Sequence, residues 1–132
     1  MPFERMLESS LPRETQEMTE DRIVATMSVD DQPVLQPMGI VHGGVYAAMA
    51  EGMTSEATFR AVYPDGNIAV GMSNQTSFLR PISTGTIHAE GRRRHRGRTT
   101  WVWEVDFTDD QGRLCVITRV TIAVRPIPES GS

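Results

Sequence analysis

The strongest constraint on this chain is one run of small apolar residues, "GIVHGGVYAAMAEGM", from Gly39 to Met53. It opens the chain's one long helix-like pattern. Val45, Met49, Met53 and Ala57 recur every four residues and predict an apolar ridge on a helix from Val45 to about Val62. Gly43 and Gly44 suit a tight entry, and "YPDGN" ends the helix with a proline and an Asp-Gly turn. One carboxylate, Glu51, sits inside the apolar run. Its neighbours predict burial, and a buried carboxylate needs a partner or a task.

Everything after the helix reads as strand. "IAVGMSNQTSFL", "TIHAEGRRRHR", "RTTWVWEVDFTD" and "RLCVITRVTIAV" are joined by "RPISTG", the "HRGRT" turn and "DDQG", read as hairpin turns that pair successive strands antiparallel. Trp101, Trp103, Val105 and Phe107 share one face, as do Leu114, Val116, Val120, Ile122 and Val124. Before the helix, "DRIVATMSV" alternates, with Ile23, Ala25, Met27 and Val29 facing a core. "DDQPVLQPMG" is loop. Residues 1–20 are polar and show no period beyond a short amphipathic helix around Phe3–Leu7. The expected architecture is α+β: one long helix on a curved antiparallel sheet, built over residues 21–126, with a poorly defined segment 1–20 and a tail 127–132. The helix is apolar enough all round to predict that a second chain covers part of it.

At 132 residues the chain is long enough for one cored domain. No run reaches the length of a membrane span, and no basic start precedes an apolar core, so a cytoplasmic protein without a signal peptide is expected. Its single cysteine, Cys115, reads as a packed thiol. The formal net charge of −4 argues against nucleic acid as a partner, although five arginines crowd Arg92 to Arg98. His42, His88, His95 and Cys115 have no metal-ligand spacing, and no G-x-S-x-G elbow is present.

The motifs "VHGGVYAAMAE", "VGMSNQTSFLRPISTG", "HRGRTT" and "DDQGRLCVITRVTIAV", in this order, resemble the hotdog-fold acyl-CoA thioesterases. The likeness is to the branch with phenylacetate-pathway, hydroxybenzoyl-CoA and enterobactin-associated enzymes, and it covers about Asp21 to Val124. It implies a helix wrapped by the sheet, chains paired edge to edge, and dimers that stack into tetramers. It implies that Glu51 is nucleophile or general base. It also implies that His42 and Gly43 mark the helix start that polarises the thioester carbonyl, that Gln36 lines the reacting centre, and that Ser55 stands one turn after the acid. No cofactor is implied, coenzyme A being part of the substrate.

The residues carry the same chemistry on their own terms. A helix N-terminus offers free N–H groups to an oxyanion, and Gly43 and Gly44 put no Cβ in the way. Glu51 could attack or take a proton from water, and Ser55 shares its helix face. Arg96, Arg98 and Thr99, and more weakly Arg80, suit the phosphates of coenzyme A; the alternative is an edge strand protected by charge. By strand alternation Arg92, Arg94 and Arg96 split from Arg93 and His95. Gly43 and Glu51 lie eight residues apart, about 12 Å along a helix, so one carbonyl cannot touch both within one chain. A site shared between two subunits follows. The expected activity is hydrolysis of an aryl- or medium-chain acyl-CoA. A hydroxyacyl-thioester dehydratase and a non-catalytic acyl-CoA-binding module are the competing readings.

Overall fold

The computed structural model describes residues 13–30 and 41–128. Strands β1 (Glu14–Met18) and β2 (Arg22–Ser28) precede the helix α1 (Gly43–Val62). A short 3-10 turn at Tyr63–Asp65 leads into β3 (Asn67–Phe78), β4 (Thr86–Arg96), β5 (Thr100–Thr108) and β6 (Leu114–Pro126). All six strands form one antiparallel sheet in the order β1-β2-β4-β5-β6-β3. The fold is the expected α+β hotdog arrangement, one long helix against one antiparallel sheet.

The sheet face toward α1 is built by alternation. Trp101, Trp103, Val105 and Phe107 of β5 are fully buried, as are Ile23, Ala25 and Met27 of β2. On β6 the buried set is Val116, Thr118, Val120, Ile122 and Val124, whereas Leu114 is exposed. A register shift at Phe107/Thr108 lies opposite Leu114, and Cys115 turns inward in its place. The helix buries Tyr46, Met49, Ala50, Met53, Thr54, Ala57, Thr58 and Val62. Two threonines in that stripe bond back onto the helix, Thr54 Oγ1 to the Ala50 carbonyl and Thr58 Oγ1 to the Thr54 carbonyl, both at 2.8 Å. Trp103 Nε1 donates to Thr58 Oγ1 at 3.0 Å and fastens helix to sheet. The helix ends as read, with Pro64 in the 3-10 turn and Gly66 left-handed at φ 83°.

Two features depart from the sequence reading. First, β1 is a strand where residues 1–20 gave no period. It is a mostly exposed edge paired, among the described residues, with β2 alone, so neither face needs apolar alternation. Second, "RPISTG" does not join neighbouring strands. β3 pairs with β6, and β4 with β2. The segment is a crossover: the Leu79 and Arg80 N–H groups both donate to the Cys115 carbonyl, Ile82 is buried, and its carbonyl accepts from Val41 N–H. The helix predicted around Phe3–Leu7 lies outside the described residues. No helix among the described residues is long and apolar enough to cross a membrane.

Candidate functional site

The helix begins at Gly43 behind His42, an exposed N-cap whose side chain makes no capping bond. The Val45 N–H returns to the His42 carbonyl at 3.0 Å. Among the described residues the Gly43 and Gly44 N–H groups have no acceptor, as expected of the first turn of a helix. No other group lies within 4 Å of a Cβ built at Gly44, whereas one at Gly43 would meet the Phe78 ring at 2.7 Å. Beside this end lies an open cavity of about 430 Å³, lined by Val41, Gly43, Tyr46, Phe78, Arg80 and Val116 among others. Its wall is mostly apolar, with the helix N-terminus as its polar corner. Tyr46 is buried, its ring edge-on to Phe107 at 5.3 Å. Its hydroxyl has no hydrogen-bond partner. Burial pushes this phenol up to about 12, the nearby Cys115 thiol adds to the rise, and the Ile82 backbone, short of full hydrogen-bond geometry, opposes it. Burial likewise raises the Cys115 thiol, so it is a packed group, as expected.

Glu51 is not buried within the chain. The buried stripe runs through residues 46, 49–50, 53–54 and 57–58, and residue 51 falls beside it. Gly44, Ala48, Glu51 and Ser55 form a second, shallower strip of small or polar residues, exposed except for half-buried Ser55. This strip and β3 run side by side. Phe78 meets Gly43, Asn74 Nδ2 donates to the Ala47 carbonyl at 2.9 Å, and Gly71 faces the Glu51 carboxylate. Asn74 and Thr76, read from the sequence only as part of a polar run, thus direct their side chains to α1 and β6. β3 is also an edge of the sheet, with Val70, Met72, Phe78 and Leu79 each about half exposed or more.

The arginine cluster is arranged differently from simple alternation. A bulge between Arg93 and His95 leaves Arg94 as the extra residue, so Arg93 and Arg96 come to the same side. Their guanidinium groups lie 4.8 and 5.3 Å from the Trp101 ring centre. Arg96 also pairs with Glu20 at 2.8 Å. Arg96 and Arg98 line a recess with Val62, Asp65 and Asn67, at the C-terminal end of α1. Thr99 gives its carbonyl to the Val124 N–H at 2.9 Å and to the Arg125 guanidinium at 3.1 Å. Arg80 lines the cavity at the other end of a helix about 30 Å long. One chain does not bring Arg80 together with Arg96 and Arg98. Gln36 lies outside the described residues. No group of three or more metal-ligating side chains occurs among the described residues.

Sheet, central helix and a polar-cornered cavity at the helix start define a protein of the hotdog class. The sequence profile of the thioesterase superfamily matches residues 38–116. The proofreading thioesterase EntH of Cronobacter turicensis is 37% identical over 105 residues, 80% of this chain and 75% of that protein. A thioesterase of Haemophilus influenzae superposes with a TM-score of 0.82 at 34% identity, covering 92% of this chain and 84% of its own. AziG of S. sahachiroi superposes at 0.81 with 33% identity, covering 96% and 98%. The chain belongs to the thioesterase superfamily, and its chemistry is thioester hydrolysis.

Proposed function

We propose that this enzyme hydrolyses an acyl-CoA thioester, with an aryl or medium-chain acyl group, at two sites shared between the subunits of a homodimer. The observation that carries the reading is the shallow strip of α1, which holds a free helix N-terminus at one end and an exposed acid, Glu51, about 12 Å further on. Among the described residues neither group has a side-chain partner, and both border the edge of β3. A long edge strand with exposed apolar side chains is a template for a second copy. Antiparallel pairing of two β3 strands about a two-fold axis would set the helix start of one subunit against Glu51 of the other.

In that site the Gly43 N–H, flanked by Gly44 and His42, stabilises the oxyanion. Glu51 attacks the carbonyl or activates water, with Ser55 orienting the carboxylate or the water. The family resemblance assigns Gln36 to the surroundings of the reacting carbonyl. The acyl group enters the cavity under Phe78. Arg80, Arg96, Arg98 and Thr99 are the candidates for the phosphates of coenzyme A. A hypothetical thioesterase from Streptococcus pneumoniae, crystallised with coenzyme A, shares the fold at 24% identity and a TM-score of 0.75. That likeness supports the fold alone. Pairs of dimers and a cytoplasmic setting complete the reading.

The test is thiol release from a panel of acyl-CoAs. Glu51→Ala should lower kcat by about 10²–10⁴-fold with KM little changed. Near-normal turnover in that variant would remove Glu51 from the mechanism.

A further inference from the structure

Glu51 has an exposed side chain, and no hydrogen bond or ion pair among the described residues holds its carboxylate. We propose that two residues of β3, Gly71 and Asn74, are positioning residues that fix where this carboxylate lies. The proposal rests on the reading of Glu51 as the catalytic acid.

Gly71 supplies space. A Cβ built there would lie 2.7 Å from Glu51 Oε1 and 3.5 Å from the carboxyl carbon. The first distance is closer than real Cβ contacts come, so an alanine methyl would push the flexible end of the carboxylate out of the position it holds. The backbone does not need glycine at this position: the positive-φ glycines are Gly66, Gly85 and Gly112, and Gly71 is not among them. Space toward Glu51 is what remains to explain it. A bulge between Gly71 and Ser73 inserts Met72 and bends the strand at this point.

Asn74 fixes the height of the helical turn. Its Nδ2 donates to the Ala47 carbonyl, which in the α-helical ladder also accepts the Glu51 N–H. Its Oδ1 accepts from Thr76 Oγ1 at 2.7 Å. Thr76 Oγ1 in turn lies 3.2 Å from Thr118 Oγ1, fully buried on β6. A run of polar contacts therefore ties the turn carrying Glu51 to the sheet. Gly71 sets the acid's lateral position, and Asn74 sets the turn it grows from. Displacing a reacting group by about 1 Å can cost 100-fold in rate, so both residues act on kcat without touching substrate.

The experiment compares Glu51→Ala, Gly71→Ala, Asn74→Asp and the double variant Gly71→Ala/Glu51→Asp by thiol release from the best acyl-CoA. Gly71→Ala should lose about 100-fold in kcat with KM within about twofold, at an unchanged thermal midpoint. With Glu51→Asp alone as the reference, the double variant should lose less than the product of the two single losses, because the shorter acid leaves room for the methyl; a merely structural glycine would give multiplicative losses. Asn74→Asp, which keeps the acceptor and removes the donor, should lower kcat about tenfold. It decides the matter alone if Gly71→Ala does not fold. Wild-type kcat in the folded β3 variants, with Glu51→Ala inactive, would overturn the positioning role. Full turnover in Glu51→Ala would instead overturn the catalytic reading beneath it.

Discussion

Strands β5 and β3 belong to one sheet and answer to different demands. β5 alternates without a fault: four large side chains are fully buried, and the residues between them are half buried. β3 is longer, and none of its twelve residues is buried. β5 sits mid-sheet under the helix and specifies the core. β3 lies at an edge, spends Asn74 on the helix carbonyl and Gly71 on making room for an acid, and leaves Val70 and Met72 to solvent. A strand that buries none of its own side chains fully yet shapes the candidate site is placed for a second chain.

That contrast can be broken from either side. A charge on the β3 edge, as in Val70→Arg combined with Met72→Arg, should abolish association and nearly all turnover while circular dichroism stays native. An active dimer would return β3 to an ordinary edge. Trp103→Ala on β5 should do the converse, costing about 3–5 kcal/mol in urea unfolding through the cavity it leaves. Thr58→Val leaves the Trp103 N–H without its acceptor and should cost about 1–3 kcal/mol in the same assay.

The smallest effect concerns Tyr46, which lines the cavity at the helix start. Its folded pKa is raised to about 12 from the ordinary 10.0, so the folded chain holds this proton more tightly than the unfolded one. Stability tied to the neutral phenol is complete below pH 10 and falls as pH rises toward 12. Tyr46→Phe should flatten that fall, read as thermal midpoint against pH. At neutral pH it should change stability by less than about 1 kcal/mol, because the buried hydroxyl has no partner to lose. An unaltered alkaline slope would place the titration elsewhere.

The contrast also explains what the sequence made legible. β5 and β2 were readable because burial on one face imposes apolar alternation, and α1 because its ridge repeats every four residues. β1 was not, because an exposed edge carries no such imprint. The partner of β3 was not, because turn residues report local direction and not which distant strand accepts the chain. The buried end of the Ile82 crossover shows how a turn-like segment can cross the sheet.

At the candidate site, Gly43 and Gly44 were legible as a helix start and Glu51 and Ser55 as neighbours one turn apart, while the roles proposed for them come also from the family resemblance. The exposure of Glu51 was not, since it depends on which side of the stripe the sheet covers. The arginine faces were misread because a bulge changes parity without a signal in "RRRHR". Gly71 had a signal, a glycine inside a strand, which marks a close approach of something. Thr58 had none, because its bond to Trp103 spans 45 residues.

The central claim is that each site needs the helix start of one subunit and Glu51 of the other. Gly43→Pro removes the oxyanion N–H while keeping a helix start that suits proline, since His42 before it has φ −59° and ψ 136°. Phe78 is exposed and can swing aside. Gly43→Pro and Glu51→Ala homodimers should each be inactive. When they are unfolded and refolded together, half the dimers are mixed, and each mixed dimer carries one intact site. Turnover should return to about a quarter of wild type. If the mixture stays inactive while mixed dimers form, each site lies within one chain and the shared-site account is wrong.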